Sequence, residues 1–289
     1  MKNAVEINTL RKEYPEFILE DIALDIPAGY VTGIIGPNGA GKTTTIKLIM
    51  GLIERDGGTI KVLGLDNLLN EIEIKNRVGY IGEEQYFYEF HSAKWTGKFV
   101  SHFYKNWDTE KFMSFLEKFE LPPKKRIKSY SKGMKVKLSL AIALSHEPEI
   151  IILDEPTSGL DPVVRHDILD YLEDFARSGK TVIVSSHITD DITRIADYVA
   201  YMIKGKIRLY ESKDALLSGW KRIHIKKGAL DNAILSSLEN INEHMFGMTG
   251  VTKDYLKLKD KLSQGLASGD IKVENVDLDD ILIKMVGEE

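Results

Sequence analysis

The chain has no cysteine, which excludes disulfides, thiolate catalysis and thiolate-ligated zinc or iron–sulfur centres. That absence agrees with a reducing compartment. Also missing is any run of about 20 apolar residues, the length that crosses a bilayer as a helix. The opening Met1-Lys2-Asn3-Ala4-Val5-Glu6 lacks the apolar core of a secretory signal. Direct membrane insertion is therefore not expected, and any membrane role is expected to run through a partner. A basic excess is lacking too: 39 Lys and Arg face 44 Asp and Glu, for a formal net charge of -5. Nucleic acids are bound by basic faces, so none is expected as a partner. What is present is the composition of an ordinary globular protein, 43% apolar and 29% charged over 289 residues. That length holds one large or two modest domains.

The chain is organised around Gly36-Pro37-Asn38-Gly39-Ala40-Gly41-Lys42-Thr43, followed by Thr44 and Thr45. This is a complete G-x-x-x-x-G-K-[ST] phosphate loop. Before it, Tyr30-Val31-Thr32-Gly33-Ile34-Ile35 reads as a buried strand, and after it Ile46, Ile49, Met50 and Leu52 recur at helical spacing. Strand, glycine turn and helix together aim backbone N–H groups and the positive end of a helix dipole at one point. A polyphosphate suits that point. The glycines let the backbone approach it, Lys42 adds a point charge and Thr43 offers a hydroxyl to magnesium.

Val5-Glu6-Ile7-Asn8 and Ile22-Ala23-Leu24-Asp25-Ile26 alternate as half-buried strands do, and Tyr14 is expected in their connection, where its ring could stack on a base. Gly57 to Val62 and Val78 to Ile81 read as further strands. Between Gln85 and Trp107 aromatic residues crowd together. Phe99, Phe103 and Trp107 follow helical spacing and are expected in the core of a helical subdomain. Those near Glu83-Glu84-Gln85 are expected to form a docking surface. Phe112, Phe115, Leu116 and Phe119 continue the helical pattern until Leu121-Pro122-Pro123 stops it.

Ser131 is a plausible N-cap for a helix carrying Leu138, Ala141, Ile142 and Leu144, with Gly133 in its first turn. Ile150-Ile151-Ile152-Leu153 is an apolar strand that ends in Asp154 and Glu155. After a phosphate loop, such a pair can hold magnesium and face an attacking water. Ser158-Gly159-Leu160-Asp161-Pro162 makes a turn, and Thr181 to Ser186 a strand with His187 at its end. In open α/β sheets ligands bind at the carboxyl ends of strands.

With these elements in order, residues 1 to about 215 resemble the ATP-binding subunit of an ABC transporter. The resemblance implies an α/β fold: a P-loop NTPase core of ABC type with an N-terminal antiparallel β subdomain, an inserted helical subdomain at about 84–146 and a small C-terminal α+β extension. The ATP-binding domain is expected over 1–217 and the extension over 218–289. In that extension 222–225 and 271–273 read as strands, Leu230 to Glu243 as a helix and Asp277 to Met285 as a closing amphipathic helix.

The resemblance further implies roles. Tyr14 is the adenine-stacking aromatic, and Gly36, Pro37, Asn38, Gly39, Ala40, Gly41, Lys42, Thr43 and Thr44 form the Walker A loop. Ser131 and Gly133 belong to the signature, Asp154 is the Walker B aspartate, Glu155 the catalytic carboxylate, Asp161 the D-loop aspartate and His187 the switch histidine. The cofactors are ATP and Mg²⁺, with Thr43, Asp154 and Glu83 at the metal.

Two departures stand out. The signature reads Tyr-Ser-Lys-Gly-Met where Leu-Ser-Gly-Gly-Gln is usual, a form similar to the ABC-2 type exporter branch, including antibiotic-resistance and Ytr-like systems. The Q-loop glutamine aligns with Glu83, while Gln85 could serve after a local shift.

The implied partners are transmembrane permease subunits and a second ATPase copy, identical or related, in a head-to-tail dimer. The implied location is cytoplasmic, on the inner face of the cell membrane. A soluble ABC-type ATPase of repair, translation or assembly is the alternative. The short gap from Thr43 to Ser131, without a heptad run, speaks against the repair type, and the single ATPase module against the translation type.

Overall fold

The computed structural model describes residues 2–227 and 235–287. It divides into two compact units, Met1–Tyr210 and Glu211–Glu289, so the division expected at 217 falls slightly earlier.

The first unit opens with β1 (Asn3–Tyr14) and β2 (Phe17–Pro27), paired antiparallel with Tyr14 opposite Phe17. Tyr14 thus ends a strand, and only Pro15 and Glu16 form the turn beyond it. Next come β3 (Val31–Ile35), α1 (Lys42–Ile49), β4 (Gly57–Val62), β5 (Leu65–Asp66), α2 (Glu71–Arg77) and β6 (Val78–Ile81). Helices α3 (Ala93–Val100), α4 (Thr109–Lys118) and α5 (Lys132–Leu144), with a short 3-10 turn at Ile127–Ser129, are inserted before β7 (Ile150–Asp154). The unit continues through α6 (Pro162–Arg177), β8 (Thr181–Ser186), α7 (Thr189–Ile195) and β9 (Tyr198–Ile203) into β10 (Lys206–Ser212).

Two sheets result. One is antiparallel, in the order β2-β1-β4-β5; the other has the order β10-β9-β3-β8-β7-β6, in which the run from β9 to β6 is parallel. β3, β7 and β8 are buried at every residue. That explains their largely apolar sequences, since a parallel strand is covered on both faces. β1 and β2 alternate instead. Leu10, Leu19, Ile22 and Ile26 of the antiparallel sheet meet Ile34, Ile46, Ile49, Ile152 and Met202 in one core. Because β3, β8 and β7 are adjacent, their carboxyl ends bring the phosphate loop, His187 and the Asp154-Glu155 pair side by side.

The aromatic stretch differs from the expected core. α3 ends at Val100, so Phe103 lies beyond it and is 66% exposed; Phe99 is also exposed and Trp107 half-buried. The three residues keep helical spacing, but the helix that would have aligned them stops short. Phe99 and Phe103 meet edge-on on an exposed face, while Trp107 packs against Phe112 of α4. Trp95 lies flat on His91 at 3.7 Å and on Phe99 at 5.3 Å, and Tyr88 meets Trp95 and Phe99 edge-on.

His146, just after α5, is buried and stacked on Tyr104 at 4.0 Å. Burial pushes its imidazole down to about 4, whereas in an unfolded chain it titrates near 6.5. Its contribution to stability is therefore complete above about pH 6.5 and lost as pH falls toward 4, about 2 kcal/mol by pH 5. Urea melts near pH 7.5 and pH 5 should show that loss. His146→Phe, which keeps a ring against Tyr104, should remove it.

In the second unit, α8 (Lys213–Gly219) leads into β11 (Lys221–Lys226), β12 (Glu239–His244), β13 (Gly247–Thr252), α9 (Tyr255–Ser268), β14 (Ile271–Asn275) and α10 (Leu278–Gly287). The sheet order is β12-β13-β11-β14, antiparallel throughout. Ile223, Ile225 and Ile271 pack with Leu258 and Leu262 of α9. The helix expected over Leu230 to Glu243 is corrected in its last part. Residues from Glu239 form a strand, because hydrogen bonds to β13 outweigh the weak local preference of Asn240-Ile241-Asn242. Residues 230–234 lie outside the described residues.

Candidate active site

β3 delivers the loop at Gly36. A Cβ there would lie 2.0 Å from the Met202 carbonyl oxygen on β9, so only glycine lets the chain leave the sheet at this place. Gly41, at φ 108, caps α1 beneath Leu19 and the edge of Phe17. Lys42 turns back into the loop, and its Nζ donates to the carbonyls of Gly36 (2.9 Å) and Pro37 (3.3 Å). Its third neighbour is Glu155 Oε1 at 3.2 Å, with both side chains nearly buried, at 6% and 7% exposure.

Glu155 follows β7 with φ 49, a left-handed backbone unusual for a side-chain-bearing residue. Its other oxygen, Oε2, lies 2.7 Å from His187 Nδ1 and accepts from the His187 N–H at 3.2 Å. Lysine, glutamate and histidine thus form one chain across the ends of β3, β7 and β8. Asp154 is fully buried; its Oδ1 accepts from Ser185 Oγ at 2.6 Å, while its Oδ2 has no hydrogen-bond partner.

A cavity of about 790 Å³ opens over this chain, lined by Asn38, Gly39, Lys42, Thr43, Glu155 and His187 among others. A second, of about 580 Å³, lies between Thr43, Asp154, Gln85 and Ser139. Glu83 and Thr43 line both. Gln85 is engaged elsewhere: its Nε2 donates to the Gly82 carbonyl at 2.7 Å, and its Oε1 accepts from Ser139 Oγ. That leaves Glu83, which is exposed, as a carboxylate that shares both cavities with Thr43. Tyr14 stands in a third cavity, of about 760 Å³, reached past Phe17 and Gly39.

A hydroxyl, a buried carboxylate oxygen without a partner and a second carboxylate make an all-oxygen donor set, which suits a hard cation such as Mg²⁺.

Ser131, Gly133 and Asp161 line none of these three cavities. Ser131 is exposed and caps α5, accepting from the Met134 N–H at 3.2 Å. Asp161 caps α6, accepting from Val163 and Val164. Gly133 is buried against α6, where a Cβ would come within 2.9 Å of Val164 Cγ1. The amides of Lys132 and Gly133 precede the first bond within α5, from Lys135 N–H to the Ser131 carbonyl, and so are spare donors.

Residues 19–158 match the family model described as ABC transporter. SrtF, a lantibiotic transport ATP-binding protein of Streptococcus pyogenes, is 34% identical over 213 residues, which cover 73% of this chain and 91% of SrtF. The chain belongs to the ABC transporter ATP-binding proteins. It is accordingly an ATP-hydrolysing subunit of the transporter type. An uncharacterized ABC transporter ATP-binding protein of Synechocystis is 31% identical over 78% of this chain and 65% of its own length, so the match spans just under two thirds of that relative. YtrB of Bacillus subtilis, an ABC transporter ATP-binding protein, is 28% identical over 81% of this chain and 79% of its own length. SrtF and YtrB agree with the exporter branch expected from the signature. A solved ATP-binding subunit of an ABC transporter superposes with a TM-score of 0.69 at 27% identity, covering 74% of this chain and 92% of that one. Among the described residues no helix is long and apolar enough to cross a membrane.

Sequence reasoning overlooked Phe17, which lines both the phosphate and Tyr14 cavities. It also passed over Ser185. The signal for Ser185 was there, since two small hydroxyl residues interrupt an apolar strand just before its histidine.

Proposed function

We propose that this ABC subunit hydrolyses ATP at the seam of a head-to-tail dimer and passes the resulting motion to permease subunits docked on its aromatic face. The observation that carries this reading is the placing of Lys42, Glu155 and His187 on one cavity and of Asp154, with its unpartnered oxygen, on the next, Thr43 and Glu83 lining both, while Ser131 and the spare amides after it stand apart at an exposed helix end. Neither surface completes a triphosphate site by itself; two copies would.

The loop amides and Lys42 hold the β and γ phosphates, and Tyr14 stacks on the base. Glu155 takes the proton of the attacking water, and His187 holds the γ-phosphate once Glu155 turns to that water. Thr43, Asp154 and Glu83 are the groups that would hold Mg²⁺, which supplies positive charge against the β and γ phosphates. Ser131 and the amides of Lys132 and Gly133 contribute from the second copy. The partner copy is either this chain or a related subunit. The complex lies on the cytoplasmic face of the cell membrane.

The permease contact belongs on the exposed ladder of Tyr88, Trp95, Phe99 and Phe103. A connected apolar surface of this kind on a globular protein marks a place for a partner. Tyr86 and Phe87, which precede Tyr88 in the chain, line the cavity that Thr43 and Glu83 also line. Affinity purification from detergent-solubilised membranes is expected to recover a multi-span protein with the chain. Tyr88→Glu combined with Phe99→Glu should cut that recovery at least about 10-fold, the scale of losing interface anchors, with ATP binding by the isolated chain unchanged. Equal recovery from the variant would remove the aromatic ladder from the interface.

A further inference from the structure

We infer that Ser185, which no motif of the site includes, is a positioning residue that aims Asp154 at the metal and fixes the backbone that carries Glu155. It sits in β8 directly opposite Asp154 on β7 and Ile34 on β3, and is fully buried.

A serine hydroxyl has one proton to give and two lone pairs to offer. Around Ser185 Oγ the roles are forced. The Glu155 N–H, at 3.1 Å, can only donate, so Oγ accepts from it. The single hydroxyl proton is donated to Asp154 Oδ1, which accepts it at 2.6 Å. Oδ1 is thereby engaged, and Oδ2, buried and without a partner, is the oxygen left for a cation. The Ser185 carbonyl accepts from the same Glu155 N–H at 3.2 Å, so that amide is gripped twice at the residue whose φ is 49. One side chain thus sets the direction of one acid and the backbone of the next.

The reading rests on Asp154 as a metal-holding group. Groups that orient a metal ligand typically change metal affinity 10- to 100-fold when removed. The test measures binding without turnover: ATP affinity of the chain in EDTA and across a Mg²⁺ titration, for Ser185→Ala and Ser185→Cys. The cysteine variant keeps the volume and lacks a strong donor, and so serves if the alanine variant does not fold. Expected are a metal-free ATP affinity within about 2-fold of the parent, and a Mg²⁺ concentration for half-maximal tightening raised about 10-fold. An unchanged Mg²⁺ requirement in a folded variant overturns the role of Ser185. Asp154→Asn separates the two ideas: if that change also leaves the Mg²⁺ requirement untouched, it is the metal assignment that fails.

Discussion

Glu155→Gln is expected to lower ATP turnover at least about 100-fold while ATP binding persists, the usual scale for losing a positioned general base. The glutamine keeps the size of the side chain and a carbonyl oxygen that can still accept from His187, but it has no charge with which to draw a proton from water. Binding should even gain, since Glu155 Oε1 is one of the three groups around Lys42 Nζ and a γ-phosphate must take its place. With ATP bound and not consumed, the variant should accumulate as a dimer in size-exclusion chromatography with light scattering. Adding Ser131→Arg, at the exposed cap of α5, should return it to a monomer that still binds ATP. Turnover close to that of the parent would refute the role of Glu155, and a dimer that tolerates the Ser131→Arg change would refute the seam.

The second large effect belongs to Lys42. Lys42→Ala should weaken ATP binding at least about 100-fold, the scale of losing a charge-assisted contact in a nearly buried site. The change also strips Glu155 Oε1 of its cation, leaving the carboxylate only its His187 contacts; breaking a buried ion pair costs up to about 3–5 kcal/mol, so the single variant should melt early as well. Combining it with Glu155→Gln separates the two effects. The double variant should recover most of the lost stability, having no orphaned charge, and should still bind ATP poorly. If affinity returned along with stability, Lys42 would be a structural residue and the phosphate loop would bind by its amides alone.

Where a residue's neighbours in sequence are also its neighbours in space, the site was legible. The loop from Gly36 to Thr43 carries its own strand and helix, and the Asp154-Glu155 and His187 positions follow from largely apolar strands of the kind a sheet covered on both faces requires. Ser185 was hidden because its meaning lies across the sheet: nothing in Thr181 to His187 says that β8 pairs with β7 in the register that puts this hydroxyl against Asp154. The aromatic stretch misled for a related reason. Spacing gives the face of a helix only while the helix lasts, and α3 ends before Phe103. In the second unit, Asn240-Ile241-Asn242 has little local preference, and pairing with β13 decides its conformation.

The packing of Gly133 on Val164 ties the Ser131 cap to the turn capped by Asp161, three residues before that valine. The two exposed helix starts therefore travel as one body. A second copy cannot choose its fit to either alone; it must meet both at a fixed spacing, like a plug with two pins. Bulk at position 133 would spread the pins, leaving each sound in itself and the pair unable to engage.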